Sequence, residues 1–179
     1  MKSVIFDCET TGLLLPSSAP LEKQPRIIEL GVIVVEDGKL AGEHNWLIYP
    51  ECEISAEITK ITGITNEDLQ GKPLFRQLLA EIEEVFGGSD IGIAHNAPFD
   101  VGMLTNELKR CGRTGFPWPT EIICTAQEYT PVMGKRPRLI NLYEYVMGRP
   151  LAQTHRALDD AMAVFEVLQK DKFFDQLGV

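Results

Sequence analysis

The chain has 179 residues, 44% of them hydrophobic and 24% charged, and carries a net charge of −9 at pH 7. That length supports one globular domain with a sizeable core, expected to span 1–179, and the acidic balance excludes a protein that coats long nucleic acid by charge alone. No apolar run approaches the ~20 residues needed to cross a bilayer, and the N-terminus opens straight into a strand-like run, so the expectation is a cytoplasmic protein with no membrane contact.

The first element is the apolar run Val4-Ile5-Phe6, which leads into Asp7-Cys8-Glu9-Thr10-Thr11-Gly12-Leu13. It reads as a buried strand, and alternation turns Asp7 and Glu9 to one face. Carboxylates so placed repel each other and resist desolvation, a conflict that Mg²⁺ or Mn²⁺ relieves; a solvated strand-end pair is the plainer alternative. Thr10, Thr11 and Gly12 end the strand in a turn whose N–H groups can meet a substrate. Residues 14–25, with three prolines and two serines, form a long loop. Arg26–Glu36 and Leu40–Tyr49 are strand-like runs around Asp37-Gly38, a hairpin signal that predicts a three-stranded antiparallel start.

Asn66-Glu67-Asp68 predicts a short helix start, and Leu74–Phe86 a helix ended by Gly87-Gly88. Ile91–Ala94 is a short strand running into His95-Asn96-Ala97-Pro98-Phe99-Asp100. Asn96 is suited to cap a helix from about Ala97 to Cys111, with Pro98 tolerated in its first turn. Glu121–Cys124 predicts a fifth strand, followed by helices over about Arg138–Met147 and about Arg156–Phe174. The pattern specifies an α/β fold, a mixed sheet with helices packed on it.

Helical rotation sorts the acids of the last helix. Asp160 falls inside the apolar arc of Ala157, Leu158, Ala161, Val164, Phe165, Val167 and Leu168, whereas Asp159 turns away with Glu166 and Lys170. Asp160 therefore demands a partner. Asp100 shares the face of Ala97, Val101, Leu104 and Leu108, but Glu107 points nearly the same way and a first-turn acid suits the helix dipole, so the pattern leaves its role open. His95 and His155 each stand five residues ahead of one of these aspartates, although a histidine at an element boundary reads more simply as a cap or packing residue; His44 reads as structural. Lys135, Arg136 and Arg138, or Lys109, Arg110 and Arg113, are candidate basic groups for a polyanion, and equally a solvated loop and a basic helix end. Cys8, Cys52, Cys111 and Cys124 lack metal-binding spacing and read as reduced thiols.

Taken together and in this order, Asp7-x-Glu9-Thr-Thr-Gly, His95-Asn-Ala-x-Phe-Asp100 and His155-Arg-Ala-x-Asp-Asp160-Ala resemble the three motifs of the DEDDh 3′→5′ exonucleases, the family of the polymerase III proofreading subunit. The resemblance runs from residue 4 to about 168 and takes in Ile27-Ile28-Glu29-Leu30-Gly31 and Ile61-Thr62-Gly63-Ile64-Thr65. It implies a ribonuclease H-like fold, a mixed five-stranded sheet flanked by helices. It also implies two-metal hydrolysis with Mg²⁺ or Mn²⁺. Asp7, Glu9 and Asp160 would hold one ion, Asp7 and substrate oxygens the other, and Asp100 would act directly or through water. His155 would be the general base, and the product a nucleoside 5′-monophosphate.

By the same resemblance Thr10, Thr11, Gly12 and Leu13 bind the terminal nucleotide, with His95 and Phe99 beside the scissile phosphate or sugar; plain core is the alternative for Phe99. The implied substrate is the 3′ end of single-stranded or frayed DNA, with RNA trimming in the manner of ribonuclease T or oligoribonuclease as the alternative. An inactive 3′-end-binding scaffold is the reading from another class. A polymerase and a second copy of the chain are the protein partners considered. The chain ends soon after its last helix, so tethering to a polymerase through a C-terminal tail is not expected. The loop 14–25 is longer than the family's usual link, which makes it a candidate to alter substrate choice, close over the 3′ end, or meet a partner.

Overall fold

The computed structural model describes residues 1–176, so the last three residues of the expected 1–179 domain lie outside the described part. Strand β1 (Lys2–Thr10) leads through a 3₁₀ turn at Leu21–Lys23 to β2 (Ile27–Glu36) and β3 (Lys39–Leu47). Helices α1 (Ala56–Thr62), α2 (Asn66–Leu69) and α3 (Phe75–Phe86) follow, then β4 (Ile91–Ala94) and α4 (Ala97–Arg110). The chain finishes with β5 (Glu121–Cys124), α5 (Thr125–Glu128), α6 (Thr130–Met133), α7 (Leu139–Met147), α8 (Ala157–Lys170) and α9 (Phe173–Gln176). The strands form one mixed sheet in the order β3-β2-β1-β4-β5. β1, β2 and β3 are antiparallel, while β4 runs parallel to β1 and to β5. The expected mixed five-stranded sheet is thus present. No helix among the described residues is long and apolar enough to cross a membrane.

The hairpin turns where expected, with Asp37 and Gly38 both in the left-handed region (φ 48° and 72°), which matches the right-handed twist of the flanking strands. Alternation along β1 and β2 divides the core in two. Val4, Phe6, Leu30 and Val32 pack with α3 and α4 through Ile82, Phe86 and Leu104, whereas Ile5, Ile33 and Val35 pack with α7 and α8 through Leu142, Tyr143, Ala161 and Val164. Asp7 and Glu9 continue the second set, so β1 presents them on the face that α8 covers.

Two features dock α8 there. Gly31, opposite Asp7 in the strand register, admits the helix backbone: a Cβ at this position would stand 2.3 Å from the Leu158 nitrogen. Glu29, opposite Glu9, is fully buried and accepts from the Arg156 guanidinium and, at 3.0 Å, from the Ala157 N–H.

Three expectations are corrected. The last helix stops at Lys170 rather than Phe174, because the chain turns at Lys172 (φ 54°) before α9. Asn96 occupies the position before α4, but its side chain caps nothing; its Oδ1 accepts from Arg136 at 2.6 Å. α1, capped by the Ser55 hydroxyl and ended by Gly63 (φ 72°), and the short α5 and α6 are additional to the expected helices.

Replacing Gly31 with Ala should destabilise the protein by roughly 2–4 kcal/mol, since backbone rather than a yielding side chain fills the space. Urea unfolding of the two proteins checks this; a change within error would mean that α8 is not held against β2 at this point.

Candidate active site

β4 pairs with β1 only over Ser3–Ile5, so beyond Ile5 the β4 side of β1 is open. α4 starts at the end of β4 and brings Asp100, which is 2% exposed, to that gap. There its Oδ1 accepts the unpaired Cys8 N–H at 3.0 Å. Asp160 arrives from α8 on the other face, and its Oδ2 accepts from Gln153 Nε2 at 2.9 Å. His155 precedes α8 with φ 50°, a left-handed backbone that costs a non-glycine residue on the order of 1 kcal/mol.

These groups meet in one cleft of about 290 Å³, lined by Asp7, Cys8, Glu9, His95, Asn96, Phe99, Asp100, Arg138, Leu139, Gln153, His155 and Asp160. Side-chain donor atoms of Glu9, His155 and Asp160 lie within 4.8 Å of one another. Residues from all three sequence blocks are therefore brought together.

The other predicted site residues are placed differently. Thr11, Gly12 and Leu13 line a separate cavity with Gln24, Pro25 and Arg26. The Thr10 hydroxyl donates to the Gly12 carbonyl (2.7 Å), and Thr11 is tied to Arg26 through the Arg26 N–H to its hydroxyl and its own N–H to the Arg26 carbonyl, both 2.9 Å. Leu13 is 82% exposed. His95 borders the cleft with both ring nitrogens engaged, one with the Thr125 hydroxyl and one with the Pro137 carbonyl, and burial pulls its pKa down. Phe99 borders the cleft and also packs against the α3–α4 side of the core.

The loop 14–25 is fastened to α4. Leu14 sits over Gly102, Gln24 bonds the backbone of Leu15 and Pro16, and Arg110 donates to the carbonyls of Leu21 and Gln24. None of its residues borders the carboxylate cleft. Of the basic candidates, Arg138 lines the cleft, Arg136 holds Asn96, Arg110 holds Glu107, and Arg113 pairs with Glu83.

The electrostatics separate two kinds of buried or half-buried acid. Burial would raise Glu29, but Arg156, Asn45 and the Ala157 N–H outweigh it and hold the carboxyl low. Glu107, 1% exposed, faces Arg26 and Arg110. The cleft acids have less relief: Arg156 offsets only part of the rise at Glu9, and His155 part of that at Asp160. Burial, then neighbouring carboxylates, pushes Asp7 well up and Glu9 to about 8; burial lifts Asp100 to about 7 against its bond from Cys8, and raises Asp160 against its bond from Gln153. Four carboxyl groups with too little counter-charge and only oxygen donors fit hard divalent cations of the Mg²⁺ or Mn²⁺ type.

Sequence reasoning overlooked Gln153 and the anchoring role of Glu29 and Arg156. Glu29 did carry a signal: a lone charge inside the otherwise apolar run Ile27–Val35 needs a buried partner.

Comparison with known proteins agrees with this geometry. A family model described as "Exonuclease" matches residues 4–168. The chain is 32% identical over 166 residues to a DNA polymerase III PolC-type protein of Clostridium perfringens, covering 93% of this chain but 11% of that protein. It is 33% identical over 170 residues to a putative bifunctional exonuclease/endonuclease of Mycobacterium tuberculosis, covering 92% of this chain and 25% of the relative. With a DNA polymerase III subunit epsilon of Treponema pallidum it shares 30% identity over 165 residues, 90% of this chain and 72% of the other. The chain thus spans only a tenth to a quarter of the first two. The nuclease domain of 3′hExo, described as a DEDDh family member bound to rAMP, superposes with a TM-score of 0.77 at 18% identity, covering 99% and 92% of the two chains. Exonuclease X in complex with 5′ overhanging duplex DNA gives 0.65 at 26% identity, covering 95% and 93%.

The raised carboxyls set a pH dependence. Each takes up protons on folding, so its stabilising contribution is complete below the ordinary carboxylate range, about pH 4, and is lost as pH rises through the folded values near 7 and 8. The melting temperature of metal-free protein should fall between about pH 5 and about pH 8.5, and less so in Asp7→Asn. Saturating Mn²⁺ should raise it more at the alkaline end, where protons no longer compete. A metal-free melting temperature equally flat in both proteins would contradict the shifted values.

Proposed function

The chain belongs to the exonuclease family, in its DEDDh branch, and from that membership we propose that it is a metal-dependent 3′→5′ exonuclease. It removes nucleoside 5′-monophosphates from single-stranded or frayed DNA ends, acting as one domain over 1–179. The observation that carries this reading is the meeting of Asp7, Glu9, Asp100, Asp160 and His155, from three distant parts of the sequence, in a single cleft.

Asp7, Glu9, Asp100 and Asp160 would hold two divalent cations, which when bound neutralise phosphate charge and make water a better nucleophile near neutral pH. His155 takes the proton of the water that attacks phosphorus. The P–O3′ bond breaks, the freed 3′-oxygen of the shortened strand takes a proton from solvent, and the 5′-phosphate leaves with its nucleoside. The tied turn Thr10–Gly12 presents Leu13 to the terminal base, an apolar contact that stacking does not restrict to one sequence. Similarity to the PolC-type and epsilon proteins supports a DNA substrate and a polymerase as partner.

Purified protein should shorten 5′-labelled single-stranded DNA stepwise with Mg²⁺ or Mn²⁺, faster than the matching RNA, and not at all with chelator or as Asp7→Ala. Faster loss of RNA would reverse the substrate assignment. Tight binding without cleavage would favour the inactive scaffold. His155→Ala should lower kcat about a hundredfold or more while metal affinity stays close to that of the parent.

A further inference from the structure

His155 stands at the one point of the cleft where the backbone is in an unfavourable region, with φ 50°. Left alone, a histidine there relaxes to negative φ and its ring leaves the cleft, so the surroundings must hold it. They do so from both sides. On the C-terminal side, Arg156 is locked onto buried Glu29, which fixes the first turn of α8. On the N-terminal side, two consecutive side chains reach forward over His155 to two consecutive aspartates. Gln153 donates to Asp160 at 2.9 Å inside the cleft, and the Thr154 hydroxyl donates to Asp159 at 2.6 Å on the outer surface. Because Asp159 and Asp160 point in different directions from α8, the two bonds grip residues 153–154 on opposite flanks.

We propose that Thr154 and Asp159 are positioning residues for His155: their surface bond completes the clasp that keeps the imidazole turned into the cleft. The inference rests on the role of His155 as base. Neither Thr154 nor Asp159 borders the cleft, and both are exposed, so both stand outside the carboxylate cluster. Gln153 contributes to the same clasp but also orients Asp160, which makes the outer pair the cleaner probe. This assigns a function to the aspartate that the helix pattern marks as merely solvated.

The experiment compares Thr154→Val, Asp159→Ala, their double variant, Thr154→Ser and Asp159→Asn with the parent and with His155→Ala. The readouts are steady-state cleavage of labelled single-stranded DNA, Mn²⁺ affinity by calorimetry, and the imidazole resonances of His155. Val and Ala variants should lose about tenfold in kcat with KM and Mn²⁺ affinity unchanged. The double variant should be no worse than either single one, since all remove the same bond. Ser and Asn variants, which keep the donor and the acceptor, should return to near parental rates, and the His155 resonances should move in the Val and Ala variants only. If His155→Ala is crippled while Thr154→Val and Asp159→Ala turn over like the parent, the clasp is refuted. Equal losses in the Ser and Asn variants would refute it as well. An undiminished His155→Ala would instead refute the base itself. Far-ultraviolet circular dichroism and thermal melts confirm that each variant compared is folded.

Discussion

The geometry of the carboxylate cleft depends on the engagement of Glu29 with the start of α8. A fully buried carboxylate on a central strand accepts from a guanidinium, from the Asn45 amide and from a helix N–H. Breaking such a set by removing one member leaves a buried charge uncompensated, a loss of about 3–5 kcal/mol in comparable sites. Its larger value lies in registry. Because Glu29 faces Glu9 across the strands and Gly31 faces Asp7, clamping Arg156 and Ala157 here fixes where the next turn of the helix delivers Asp160. A helix rotated by one residue would point Asp160 elsewhere and leave Glu29 without its partners.

The buried and half-buried acids of this protein show how environment divides identical groups into those paired with arginine and those left without it. Glu29 and Glu107 lie deep, yet each faces arginine. Asp7, Glu9, Asp100 and Asp160 have hydrogen bonds at most and no arginine in ion-pair contact, so burial drives them towards the neutral form. Arginines are engaged on the loop, on Glu29 and on Glu83, and Arg138, which lines the cleft, is in ion-pair contact with none of its carboxylates among the described residues. What remains in the cleft is a deliberate deficit of positive charge, open to a cation from solution.

The parts legible in the sequence were those governed by local periodicity. Period two set Asp7 and Glu9 on one face, and 100° per residue separated Asp160 from Asp159. Asp100 resists the same treatment because Glu107 shares its direction, and only the partners distinguish them: each accepts a strand N–H, but Glu107 alone also meets two arginines. Glu29 with Arg156, 127 residues apart, and Asn96 with Arg136 belong to tertiary pairing, which no local pattern encodes. Periodicity carries the last helix past its true end because Asp171 and Lys172 hold no breaker signal, whereas the fold holds Asp171 through the Tyr129 hydroxyl. The resemblance to a family supplied what chemistry alone could not, namely which of two histidines to favour.

The loop at residues 14–25 is secured to α4 on one side of the sheet, while His155 and α8 belong to the other. Its anchors are backbone carbonyls, one leucine over a glycine, and an internally bonded glutamine, none shared with the cleft. The segment is therefore held by its own set of bonds, and it meets the cleft only indirectly, through α4, which also carries Asp100, and through the tie of Thr11 to Arg26. Such a division lets the segment vary in length and sequence while the bonds that hold the carboxylate cleft stay in place, provided α4 keeps its seat.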